Sequence, residues 1–173
     1  PPAPSVVAPV SPGNTLSPGF GISDAEGTAV LTCVMTSPKG RSVASGPCPV
    51  SGVFSTSGFS DGVYTLVVTA TDAAGNASST TVTWTRDTVA PPAPTVTAPA
   101  SPGNSLSPSF VVSDSEAGVS YTCSAPSSVT VTACGATTSL DLTGNPDGSY
   151  AVTVSAVDAA GNTSAGTTST YVL

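Results

Sequence analysis

Apolar and polar residues alternate along positions 62–71. Tyr64, Leu66, Val68 and Ala70 fall on one side, and Val63, Thr65, Val67 and Thr69 on the other. A period of two with one apolar face marks a strand lying on a sandwich core. The alternation returns with Tyr150, Val152, Val154 and Ala156. Shorter inward sets are Phe20 with Ile22, Leu31 with Cys33, and Val82 with Trp84. Their counterparts are Phe110 with Val112, Tyr121 with Cys123, and Ser169 with Tyr171. No stretch keeps an apolar 3.6-residue period long enough for a good helix. Between the strand patterns lie turn signals. Ser-Pro-Gly-Asn suits a type II turn, with proline fixing φ and glycine accepting a positive φ. Asp-Ala-Ala-Gly-Asn suits a hairpin connection between the last two strands.

These elements occur twice. Pro4 through Asn14 matches Pro94 through Asn104 at an offset of 90 residues, and Phe20, Asp24, Glu26 and Cys33 map onto Phe110, Asp114, Glu116 and Cys123. After a shorter middle loop the offset becomes 86. Asp61-Gly62-Val63-Tyr64 then matches Asp147-Gly148-Ser149-Tyr150, and Asp72 through Asn76 matches Asp158 through Asn162. Such repetition signals tandem modules. The expected organisation is two all-β domains, 1–88 and 89–173, each a sandwich of about seven strands. The Pro-rich segment Asp87–Pro94 between them should be semi-rigid.

Composition sharpens this picture. Gly and Pro number 17 each, and only 8% of residues are charged, against roughly 25% in ordinary soluble proteins. Ten acids, three bases and no histidine give a net charge of −7. Lys39, Arg41 and Arg86 are too few to neutralise a phosphate backbone, so nucleic acid is not an expected partner. An anionic membrane surface is disfavoured for the same reason, and no apolar run approaches a membrane span. The chain opens on PPAPSV and stops on STYVL, which reads as a piece excised from a longer protein.

Asp-Gly-x-Tyr stands just before the penultimate strand, where sandwiches of this class place a tyrosine corner. Its recurrence at Tyr64 and Tyr150 favours that role over the competing one of plain core aromatics. Asp-Gly-x-Tyr, an alternating strand, Thr-Asp-Ala-Ala-Gly-Asn, a last strand bearing Trp84, and Asp-Thr-x-Ala-Pro together resemble the bacterial Ig-like repeats. The resemblance covers both copies and departs from the pattern where Tyr171 stands for the tryptophan. It implies an immunoglobulin-like or fibronectin-III-like sandwich of the kind that builds the stalks of surface and secreted proteins. It does not imply one function, since the fold hosts many.

Each copy holds one cysteine pair, Cys33 with Cys48 and Cys123 with Cys134, separated by 15 and 11 residues. Two per small domain indicates intradomain disulfides and an oxidising, extracellular compartment. Two cysteines with no histidine make a poor metal site. The expected bridge ties the third strand to the loop or strand that follows. Closing such a loop contributes about 3 kcal/mol in the chain-entropy model.

Without histidine there is no Ser-His-Asp or Cys-His arrangement. Lys39 lies in the polar turn Ser-Pro-Lys-Gly-Arg and has no counterpart in the second copy. No Gly-rich phosphate loop and no cleft for paired carboxylates is evident, so no enzymatic activity is expected. The acids are the remaining constellation. Asp114, Glu116, Asp158 and Asn162 are expected to cluster where the linker bearing Asp87 arrives. Together they offer oxygens for Ca²⁺, which takes 6–8. The bland reading is the stronger one: Asp72 and Asp158 cap their own hairpins, and Asp114 and Glu116 are solvated loop acids. Phe59 is the one aromatic outside a core position, and its equivalent is Asn145. The expected role is a structural spacer or stalk segment whose partners are neighbouring repeats of its own chain, secreted or held at a cell surface. The alternatives are a glycan- or protein-binding module displayed to a host surface, and a subunit of an extracellular filament of like chains.

Overall fold

A computed structural model describes residues 1–173, which divide into two compact units, Pro1–Thr88 and Val89–Leu173. The first unit contains β1 (Ser5–Val7), β2 (Gly21–Ser23), β3 (Val30–Thr36), β4 (Ser42–Pro47), β5 (Gly62–Thr71) and β6 (Ala77–Arg86). The second contains β7 (Thr95–Thr97), β8 (Ser109–Ser113), β9 (Ser120–Ser124), β10 (Thr130–Ala133), β11 (Thr137–Asp141), β12 (Ser149–Val157) and β13 (Thr167–Val172). All strand pairs are antiparallel.

The alternating stretches lie where their periodicity predicts. Tyr64, Leu66, Val68 and Ala70 of β5 are buried, as are Tyr150, Val152, Val154 and Ala156 of β12. The first core adds Phe20, Cys33, Met35, Phe54 and Trp84, with Ile22, Leu31 and Val82 packed around it. The second adds Phe110, Val112, Val129, Leu140, Leu142 and Tyr171, with Tyr121 and Cys123 at its margin.

The two units pair their strands differently. In the second, one sheet runs β10-β11-β8-β7 and the other β13-β12-β9, the arrangement of an immunoglobulin constant-type sandwich. In the first, β4 instead extends the sheet β4-β3-β5-β6, leaving β1-β2 as a two-stranded sheet. The four-residue difference in cysteine spacing accounts for the switch. Both turns occupy five residues, 37–41 and 125–129. Three residues lie between Cys33 and its turn, enough for a ladder of β3 with β4 from Thr32↔Pro47 to Thr36↔Ser42. Only Ser124 lies between Cys123 and its turn, so no such ladder forms, and β10 crosses to pair with β11.

Beyond Cys48 the first chain turns sharply at Gly52, whose φ is +65°. A Cβ there would sit 2.0 Å from the Phe20 carbonyl oxygen, so only glycine fits. Of the β8–β11 ladder, the first unit keeps the single bridge Gly19↔Val53. It therefore has six strands, one fewer than its sequence pattern predicts.

Ser-Pro-Gly-Asn does not form the expected type II turn. Gly13 and Gly103 do not have positive φ, and the Ser11–Pro12 and Ser101–Pro102 bonds are cis. The segment instead runs beside the last strand. Gly13 N–H donates to Thr85 O at 3.0 Å, and Gly103 N–H donates to Val172 O at 2.9 Å. Glycine is needed here for close approach: a Cβ would lie 3.3 Å from Trp84 Cζ2 at position 13, and 2.7 Å from Tyr171 Oη at position 103.

Candidate functional sites

Both tyrosines of Asp-Gly-x-Tyr bond back four residues. Tyr64 Oη donates to Ser60 O at 2.8 Å, and Tyr150 Oη to Pro146 O at 2.5 Å. This is the geometry of a tyrosine corner. Trp84 and Tyr171 seat the Ser-Pro-Gly-Asn segment through different chemistry. The Trp84 indole donates to Val10 O at 2.9 Å, whereas the Tyr171 hydroxyl accepts from Ser105 N–H at 2.8 Å. The exchange of tryptophan for tyrosine thus keeps the seat and reverses the donor.

Each disulfide is formed, Cys33–Cys48 and Cys123–Cys134. The strand switch gives them different tasks. The first closes the base of the β3–β4 hairpin within one sheet. The second joins β9 of one sheet to the residue after β10 of the other. Cys33 is buried and Cys134 is exposed.

The β8–β9 and β12–β13 loops, which carry Asp114, Glu116 and Asp158, lie at one end of the second unit. There Ser120 pairs with Val157 and Thr95 with Ser113. The β8–β9 loop, the β12–β13 hairpin and the arriving chain therefore share that end. Asp158 Oδ1 accepts Ala160 N–H and Asn162 N–H, both at 2.8 Å, and Oδ2 accepts Asn162 Nδ2 at 2.8 Å. Burial pushes the Asp158 pKa up, but these bonds outweigh it and hold the carboxyl below its ordinary value. Asp72 makes the same cap with Ala74 and Asn76, and its bonds to Asn76 lower its pKa. Asp114 Oδ1 accepts Glu116 N–H at 2.8 Å. Asp87 follows β6 and donates its N–H to Gly13 O at 3.1 Å. No three His, Cys, Asp or Glu side chains gather into a metal-holding group. Asp114 Oδ2 and its equivalent Asp24 Oδ1 are buried oxygens without a hydrogen-bond partner, and such orphans are costly.

The structure adds a cluster that the sequence pattern did not reveal. Arg86, at the end of β6, is 6% exposed. Its Nε donates to Asp61 Oδ1 at 2.6 Å, its Nη1 to Thr56 O at 2.6 Å, and its Nη2 to Phe59 O. The guanidinium also lies 5.8 Å from the Tyr64 ring centroid. Asp61 Oδ2 accepts the Thr88 N–H and hydroxyl at 2.9 and 2.7 Å. Burial raises the Asp61 pKa, but the Thr88 bonds and the Arg86 charge more than reverse it, leaving the group lowered. The only sequence signal was an isolated arginine where the second copy carries Leu173.

These ties define an all-β sandwich of the immunoglobulin and fibronectin-III-like kind. No protein-family model matches the chain, and no curated protein matches it. Among solved structures it is similar to the Clostridium thermocellum CbhA fibronectin(III)-like modules, at 15% identity over 98% of this chain and 93% of that one, with a TM-score of 0.53. It is also similar to murine CEACAM1b, at 11% identity over 94% and 96% of the two chains and a TM-score of 0.42. A tetra-tandem repeat from the extending region of a large adhesion protein matches at 19% identity over 99% of this chain and 49% of that one, with a TM-score of 0.37. At 15% identity the likeness to the CbhA modules is one of fold.

Proposed function

We propose that the chain is a non-catalytic spacer segment of an extracellular protein, two stapled sandwiches in series. The observation that carries this reading is what recurs between the copies. The tyrosine corner, the aromatic seat, the Asp-capped hairpin and the disulfide all reappear at equivalent positions, and each serves to hold the fold. The two disulfides favour an oxidising compartment. The penultimate strand of ten residues, Gly62–Thr71, spans about 32–34 Å at 3.2–3.4 Å per residue. Each unit therefore contributes a few nanometres of reach.

Stretching single chains tests this reading. Two resolved unfolding peaks are expected per chain. Reduction should lengthen the release from the first unit by about 50 Å, the span of the 15 residues that Cys33–Cys48 hides at 3.3–3.6 Å each. A unit that opens without a resolved peak would remove the mechanical role.

The orphaned Asp114 Oδ2 supports a second element, a Ca²⁺ ion bound at that end of the second unit. Calcium titration followed by thermal unfolding checks it. A rise in Tm that Asp114→Asn abolishes supports the ion. An unmoved Tm leaves the acids as turn formers.

A further inference from the structure

Arg86 is buried in its clamp, so Lys39 and Arg41 are the only exposed bases in a chain of net charge −7. Both line the same depression, of about 330 Å³, with Ser37, Gly58, Phe59 and Ser60. Neither side chain has a carboxylate partner, although the chain carries ten acids.

The depression is held in shape from below and from both sides. The β3–β4 turn is fixed by Ser37 N–H to Arg41 O at 2.8 Å, Gly40 N–H to Ser37 O at 2.9 Å and Arg41 N–H to Ser37 Oγ at 3.1 Å. Pro38 packs so closely on Gly62 that a Cβ there would lie 2.9 Å from its ring. The opposite wall, residues 56–60, is held by Arg86 through the carbonyls of Thr56 and Phe59. The Arg41 guanidinium lies over the Phe59 ring, 5.5 Å from its centroid, a cation–π contact that holds it beside the Phe59 loop.

The second unit has no such site. Its turn, Ala125–Val129, carries no base. Asn145, in place of Phe59, donates its Nδ2 to Ser128 O at 3.2 Å and ties the two loops together.

We infer that the first unit binds an anionic saccharide between the Lys39–Arg41 turn and the Phe59 loop. A planar guanidinium matches a carboxylate or sulfate bidentately, and a lysine adds a second charge beside it. The hydroxyl of Ser60 and the open backbone at Gly58 suit sugar hydroxyls. The volume stands at the small end of ligand pockets, which fits one pyranose ring rather than a folded partner. This binding role is independent of the spacer reading, and each can fail without the other.

The test is titration of the whole isotope-labelled chain with trigalacturonate, a chondroitin-sulfate disaccharide, neutral maltotriose and tetraglutamate, followed by amide NMR. Shifts confined to residues 37–41 and 58–60 are expected with one or both anionic sugars, and which of them binds identifies the acid group. Lys39→Ala and Arg41→Ala should each weaken binding at least tenfold, and Phe59→Asn several-fold. Unchanged Trp84 fluorescence would show that each variant is folded. The inference is overturned if neither anionic sugar moves these amides at millimolar concentration. It is equally overturned if maltotriose binds as well, or if tetraglutamate binds as well and reveals only a general carboxylate trap.

Discussion

At the foot of the last strand the two units solve one packing problem with opposite chemistry. The first places Thr56 and Arg86 there, and the second places Leu142 and Leu173 at the equivalent positions. Thr56 and Leu142 are both fully buried, and each donates its N–H to a leucine carbonyl, Leu16 or Leu106. The backbone frame is thus shared, while the side chains exchange a hydrogen-bonded cation for apolar contact. A buried charge network gains little over a well-packed apolar core, but losing one member is expensive. What the first unit obtains is a fixed loop, because Arg86 grips the carbonyls of the segment carrying Phe59.

The largest effect should follow from breaking that network. Arg86→Ala is expected to destabilise the first unit by about 3 kcal/mol, at the low end of the range for a broken buried pair, because the Asp61 side chain remains 27% exposed. Trp84, the only tryptophan, is buried in that unit. Its fluorescence therefore reports this loss separately from the second unit. The double change Thr56→Leu with Arg86→Leu imports the second unit's solution and should recover part of the loss; a cycle with no coupling would break the comparison. Acid should weaken the same network. The folded Asp61 pKa is lowered from 3.8, so its contribution is present above the unfolded value and lost as pH falls through the folded one. Trp84-reported stability should decline below about pH 4, and Asp61→Asn should flatten that decline.

The disulfides sharpen the comparison at a similar scale. Each closes a loop worth about 3 kcal/mol in the chain-entropy model, with separations of 15 and 11 residues. They differ in access, since Cys33 is buried and Cys134 exposed. Mild thiol followed by alkylation and mass spectrometry should find Cys123–Cys134 open first. Because that bond joins two sheets, its loss should loosen β10 from β9. Loss of Cys33–Cys48 should leave the β3–β4 ladder paired. Hydrogen exchange of the two segments distinguishes these outcomes.

Much of this fold is readable from local pattern. The alternation at 62–71 and its repeat locate β5 and β12 because a half-buried strand must alternate. The Asp-Gly-x-Tyr and Asp-Ala-Ala-Gly-Asn motifs announce their own hydrogen bonds because those bonds span only four residues. The strand switch was less visible. It depends on two residues more or fewer on each arm of a hairpin, and nothing in the composition of β4 or β10 names its partner. Arg86 was hidden for a similar reason. Its acceptors Thr56, Phe59 and Asp61 lie 25 to 30 residues away, and two of the contacts are to backbone carbonyls, which carry no sequence signature. The Lys39–Arg41 depression became legible only once that clamp placed Phe59 beside the turn.

The smallest expected difference lies in the glycines beneath the aromatic seats, which local pattern assigned to a turn and the structure assigns to close approach. Alanine at position 13 meets Val10 O at 3.1 Å and the Trp84 ring at 3.3 Å, while alanine at 103 meets Tyr171 Oη at 2.7 Å and Ala100 O at 3.0 Å. Both Cβ atoms crowd a backbone carbonyl, but only the second intrudes on an oxygen already bonded to Ser105 N–H. Gly103→Ala should therefore cost about 1–3 kcal/mol, the usual range for overpacking, and Gly13→Ala less. Trp84 fluorescence follows the first variant, and hydrogen exchange across residues 149–172 follows the second. Equal losses would mean that the tryptophan and tyrosine seats are equally tight. A positive-φ turn at these positions predicts something else, a comparable strain in both units whatever the aromatic above. Replacing Tyr171 by Phe in the Gly103→Ala background separates the two, because removing the hydroxyl relieves a steric clash and leaves a backbone strain untouched.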